Sequence, residues 1–206
     1  MEVLLSTTYF GPIQWYQKLH RADQVWMERH ESFQKQTYRN RCVIATTQGT
    51  QALTVPIERT TSSAIKDIRI SDHGNWRHLH WNALQSAYGD SPFFIYYEDD
   101  IRPFFERRWD FLLDFNEAIR EKICELLDIQ PAVRYTDHYL PSLDRDGSEG
   151  ALLDLRDTIN PKHPAPDLDF VPRRYYQVYE AKHGFQPNLS IVDLLFNMGP
   201  EAIFWL

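Results

Sequence analysis

The sequence has no run of about 18 apolar residues, so no segment is expected to cross a bilayer. It has no basic leader followed by an apolar stretch, so no secretory signal is expected either. Cysteine occurs only twice, as Cys42 and Cys124, far apart and in no CxxC pattern. Both are expected to be reduced thiols of a cytoplasmic protein. There is no Walker A loop, no G-x-G-x-x-G and no G-x-S-x-G. The strongest sequence marks of a phosphate-cradling loop and of a serine nucleophile are therefore missing. Positive charge is also short: 22 Lys and Arg stand against 29 Asp and Glu, for a net charge of −7. That balance disfavours nucleic-acid binding, which rests on phosphate neutralisation. No internal repeat or low-complexity tract is visible.

What is present is an ordinary globular composition, 43% hydrophobic and 25% charged over 206 residues. A chain of this length forms one domain, residues 1–206, and buries roughly 70% of the surface its unfolded form exposes. Aromatics are abundant, with 6 Trp, 11 Tyr and 12 Phe. They suit either an aromatic core or a stacking cleft.

Glu2–Ser6 reads as a short buried strand, 7–12 as a Gly-Pro loop, Ile13–His20 as a helix and Val25–Met27 as a second strand. This is a βαβ-like start, and its loop after the first strand would lie where open α/β sheets bind ligands. Arg41–Thr47 and Ala52–Ile57 read as a β-hairpin around Gln48-Gly49. Ile65–Ile70 alternates loosely. Trp76, Leu79, His80, Ala83, Leu84, Ala87 and Tyr88 fall on one helical face, stopped by Gly89. A long helix is expected from about Phe104 to Leu127, another over Arg173–His183, and a last one behind a capping-box-like Ser190–Asp193. The expected fold class is α/β, a mixed sheet with a βαβ-like start and a hairpin, packed by several helices; α+β is the alternative. Pro131–Phe170 is Pro-rich and irregular, with a turn-like Asp144-Arg145-Asp146-Gly147. Its Asp154, Arg156, Asp157 and Lys162 could close over a ligand; a surface excursion is the plainer reading.

The densest chemistry lies in FQKQTYRNRCVIATT, residues 33–47, where Lys35, Arg39, Asn40 and Arg41 stand beside Phe33 and Tyr38. Guanidinium forks and an ammonium suit a phosphate or carboxylate; a solvated basic loop is the alternative. His80 is the candidate acid/base group, because imidazole titrates near neutrality, although its place on an apolar helical face equally fits a core histidine. His73, His78 and His80 make a poor metal set, since i and i+2 on a helix do not share a face. No metal is assigned and no cofactor is identified.

Several blocks together resemble the WbqC-like family. They are Tyr9-Phe10, Pro12, Trp15-Tyr16 and Ala22-Asp23; then Phe33, Lys35, Tyr38, Asn40 and Arg41; then Val55-Pro56; then Trp76, His80, Tyr88, Pro92, Phe93 and Phe94; and the closing LSIVDLLFNMGPEA. The resemblance covers most of residues 3–105 and the last 20 or so. Ser6-Thr7-Thr8 and Gly11-Pro12 depart from the family's usual first loop, which implies a different substrate if that loop holds it. The family occurs in bacterial gene clusters for surface polysaccharide. The resemblance implies a cytoplasmic role near sugar or sugar-nucleotide metabolism. The functional expectation is a transferase-like enzyme on an activated sugar or other anionic small molecule, with a nucleotide sugar as the model partner. Lys35, Arg39, Asn40, Arg41 and Tyr9 would bind substrate, and His80 and Asp23 would line the same mouth as catalytic groups. A non-catalytic binding or assembly module is the alternative.

Overall fold

Val3, Leu4 and Leu5 form a continuous apolar run, and all three are fully buried. A strand covered on both faces by helices requires such a run, and parallel sheets are built from strands of that kind. A computed structural model describes residues 1–59, 61–141 and 152–206. In it Glu2–Ser6 is β1, Ile13–Arg21 is α1 and Gln24–Glu28 is β2. β1 and β2 pair in parallel, with Val3 opposite Val25 and Leu5 opposite Met27. The expected βαβ start is therefore formed. Two short strands complete the sheet: β5, Val133–Tyr135, pairs in parallel with β2, and β6, Leu153–Asp154, pairs in parallel with β1. The order is β5-β2-β1-β6. The hairpin, β3 (Arg41–Thr46) and β4 (Gly49–Thr54), forms a separate two-stranded antiparallel sheet. The class is α/β, with its parallel and antiparallel pairs in two sheets.

α1 is buried almost all round, including Lys18. The Lys18 ammonium is held by Asp167 at 2.9 Å, and Gln14 donates to the same carboxylate at 2.8 Å. This ties the Pro-rich segment onto α1. The segment expected to be irregular thus supplies β5, β6 and this anchor; the turn at Asp144–Gly147 lies outside the described residues.

α2, Trp76–Tyr88, matches its sequence pattern in extent, yet Leu79 points outward while Trp81 packs inward. The single helix expected over 104–127 is two helices, α4 (Pro103–Glu106) and α5 (Leu112–Leu126), following α3 (Phe94–Ile101). Between them the backbone turns to residues 68–70: Ile70 N–H donates to Asp110 O and Leu112 N–H to Ile68 O, each at 2.9 Å. These sheet-like bonds displaced the helical ones; of the alternation expected over Ile65–Ile70, residues 68–70 make this pairing, whereas Ile65–Asp67 is a 3₁₀ turn. The helix expected over Arg173–His183 shrinks to α6, Glu180–His183.

α7, Ile191–Met198, starts without the expected capping box. The Ser190 hydroxyl donates to Phe10 O at 2.7 Å. Asp193, fully buried, accepts from the Tyr88 hydroxyl at 2.8 Å and the Tyr175 hydroxyl at 2.6 Å, and burial pushes its carboxyl above the usual range. α7 ends at Gly199, where φ is 56° and ψ is −133°, and a Cβ would overlap the Phe93 ring. Gly199→Ala is expected to cost about 1–3 kcal/mol from backbone strain and overpacking. Urea unfolding reads this directly; an unchanged midpoint would contradict the packing described.

Candidate functional site

Because the four strands of the larger sheet are parallel, Ser6, Glu28, Tyr135 and Asp154 all end at one edge. β2 lies on one side of β1 and β6 on the other, so the chain reverses its winding direction beside β1. Loops diverge at such a point and leave a crevice, where open α/β sheets take their ligands. Here a tight slot between Thr7-Thr8 and Leu155-Ile159 shares Arg156 with a hollow of about 460 Å³. His30, Glu31, Gln34, Tyr139 and Asp157 also line that hollow. Thr8 Oγ1, in the slot, is buried without a hydrogen-bond partner among the described residues.

Two guanidiniums and three carboxylates fix the walls. Arg39 forks onto Glu31, with Nε–Oε1 at 2.8 Å and Nη2–Oε2 at 2.6 Å, and Nη2 also donates to Ser6 Oγ at 2.8 Å. Arg156 forks onto Asp154 at 2.9 and 2.6 Å, donates from Nη1 to Leu140 O at 2.9 Å, and lies 5.5 Å from the centre of the Tyr139 ring. Glu28 is fully buried. It accepts from His30 N–H at 2.7 Å, Thr136 Oγ1 at 2.8 Å and Leu140 N–H at 2.9 Å, and faces Arg156 Nη1 at 3.6 Å. A buried charge survives only when paired and hydrogen-bonded in this way. The set is rigid and slightly acidic. Its lining of carboxylate, imidazole, amide and one aromatic face suits a ligand rich in hydroxyls.

His30 Nε2 lies 3.1 Å from Thr136 O and 3.3 Å from Arg29 Nε, which also donates to Thr136 O at 3.0 Å. In the tautomer that donates from Nε2 to Thr136 O, Nδ1 carries the free lone pair, and it has no partner among the described residues.

The residues singled out in the sequence scatter. Arg39 is in the crevice, but Glu31 neutralises it. Lys35 is exposed and follows Gln34, which lines the hollow. Asn40 is buried, donating to Val55 O at 2.8 Å, and Arg41 donates to Thr54 Oγ1 at 3.1 Å on the hairpin. Asn40 shapes the loop, with Asn116 donating to Arg39 O at 2.8 Å. Asp23 corrects the expected common mouth: it is exposed at the amino end of β2, beside the Met1 amino group. Five residues of strand, roughly 17 Å, part it from the ligand edge. His80 is likewise no mouth residue. It is buried, with Nδ1 2.8 Å from the Tyr9 hydroxyl and a hydrogen bond to the Thr54 backbone. Trp76 and Phe105 rings surround it. Burial pushes its pKa down to about 4, so it is a neutral core histidine and Tyr9 is its partner. Arg156 and Asp157, suspected of closing over a ligand, do line the hollow. Glu28, His30 and Glu31 were missed; the signal was a run of ionisable residues, Glu28-Arg29-His30-Glu31, directly after a strand of a parallel sheet.

Cys42 and Cys124 are both free and buried, and burial pushes the Cys124 thiol up to about 12. Among the described residues no group of three or more His, Cys, Asp or Glu is placed to hold a metal ion. No described helix is long and apolar enough to cross a membrane.

A model of a family described as the WbqC-like protein family matches residues 7–204. Among curated proteins, the uncharacterised protein Rv1507c of Mycobacterium tuberculosis is 29% identical over 193 residues, covering 82% of this chain and 81% of its own. No solved structure matches.

Proposed function

The chain belongs to the WbqC-like protein family, and on that premise we propose a transferase-like enzyme acting on an activated sugar in cytoplasmic surface-polysaccharide metabolism. The observation that carries this reading is the hollow at the winding reversal beside β1, walled by fixed ion pairs and lined with hydroxyl-binding groups. Glu31 and Asp157 accept hydrogen bonds from sugar hydroxyls, and Tyr139, steadied by the Arg156 guanidinium, offers its face to the ring. Lys35, exposed next to Gln34, supplies the positive charge for a phosphate that the acidic hollow itself does not. His30 is the base: the acceptor hydroxyl gives its proton to Nδ1 as its oxygen bonds the transferred group. The leaving group departs with the electron pair of the broken bond.

A titration with a panel of nucleotide sugars, read by thermal shift and calorimetry, tests this. Asp157→Asn and Tyr139→Ala are expected to weaken binding at least tenfold, about 1.4 kcal/mol, without lowering Tm, because both residues are exposed. His30→Gln is expected to keep binding and lose transfer. Binding by the parent protein with no transfer to any acceptor would favour the binding-module reading. No thermal shift with any member of the panel would remove the sugar.

A further inference from the structure

A second hollow, of about 480 Å³, lies where the first turn of α2 meets the end of α3 and α4. Arg77, Arg102 and Arg108 converge on it, over a floor that includes Trp81 and Phe105. We propose that it binds a planar organic anion, a ring bearing a phosphate or carboxylate. This is independent of the sugar site, whose lining it does not share.

The guanidinium donors support an anion. Asp72 serves two of the three guanidiniums, Arg77 Nη1 at 2.6 Å and Arg108 Nη2 at 2.7 Å. Among the described residues Arg102 pairs with Glu98, at 3.7 Å, and its guanidinium lies 5.5 Å from the centre of the Trp81 ring. Glu106 is the other carboxylate in the lining, and His78 adds an imidazole. Three guanidiniums thus gather at one hollow, beside Asp72 and Glu106 in the lining and Glu98 behind Arg102, in a protein whose net charge is −7. Arg77 Nη2 is buried without an acceptor among the described residues. A buried N–H of a charged group left unpaired costs free energy, which an anionic oxygen within reach would recover. Asn75, at the start of α2, makes no side-chain cap, so the amide end of that 13-residue helix adds positive potential to the same place.

The apolar floor selects the rest of the ligand. Guanidinium forks match phosphate and carboxylate oxygens. Trp81 already holds a cation against its face, so a ring laid beside Arg102 and Phe105 completes a stack that a bare ion cannot.

Phenyl phosphate, benzoate and inorganic phosphate are the probes, titrated into the whole protein and read by calorimetry and by the indole N–H resonances. Phenyl phosphate is expected to bind at least tenfold more tightly than inorganic phosphate and to shift the Trp81 resonance. Arg108→Ala and Arg102→Ala, both at exposed side chains, are expected to weaken it at least tenfold with Tm unchanged. Asp157→Asn and Tyr139→Ala are expected to leave it unaltered, which separates this site from the sugar hollow. No phenyl phosphate binding, binding indifferent to both arginine variants, or equal binding of inorganic phosphate would each overturn the proposal.

Discussion

Glu31→Ala is expected to destabilise the protein by about 3–5 kcal/mol, because it leaves the Arg39 guanidinium charged and buried without its partner. Both side chains are almost inaccessible, at 4% for Arg39 and 6% for Glu31. The fork between them is short and shares Ser6 Oγ as a third member. For a chain of this size each kcal/mol moves Tm by about 2–4 °C, so a fall on the order of 10 °C is expected. Arg39→Ala should cost about as much. The double variant Arg39→Met with Glu31→Leu should recover most of the loss, since an apolar pair of similar volume often replaces a buried ion pair without penalty. Chemical unfolding of the four proteins checks the cycle. Losses under about 1 kcal/mol, as surface pairs show, would mean that water reaches the crevice freely and that its walls are not fixed.

Stability should also fall as pH drops from about 6.5 toward 4, and His80 should account for much of it. Burial lowers its folded pKa from 6.5 to about 4. Between those values the unfolded chain holds a proton that the folded chain refuses, so acid favours unfolding. The contribution is fully present above pH 6.5 and is lost as pH falls to about 4, amounting to about 3 kcal/mol. Its hydrogen-bond partner Tyr9 does not titrate in this window, because burial pushes that phenol well above 10. His80→Gln is less stable than the parent at neutral pH but loses this part of the slope. Tm measured across the range for both proteins decides it; parallel curves would show that His80 is not held neutral.

The two results concern residues that the sequence marked as interesting for the wrong reason. Arg39 stood out as one cation in a basic cluster, yet its charge is consumed by Glu31. His80 stood out as an imidazole, yet its apolar helical face, Trp76 and Leu84 among its neighbours, already contained the answer. Arg156 and Asp157 were suspected only as members of a long irregular connection. The short strand Leu153–Asp154 that places them was invisible, because two residues carry no period.

Local pattern determined β1, the first arm of the hairpin, α2 and the α/β class, since alternation, apolar stripes and turn residues act within a few positions of one another; the second arm, expected at Ala52–Ile57, forms at Gly49–Thr54. Tertiary structure alone decided the break between α4 and α5, the outward turn of Leu79, and the gathering of Ser6, Glu31, Arg39 and Arg156 at one sheet edge. Those outcomes join segments up to 150 positions apart, Ser6 and Arg156 lining one slot at the extreme. The reason is sheet pairing: Arg39 and Arg156 find their main counter-charges nearby, in Glu31 and Asp154, but only the pairing of β1 with β6 brings those two local pairs to one edge, and no window of neighbouring residues contains that pairing.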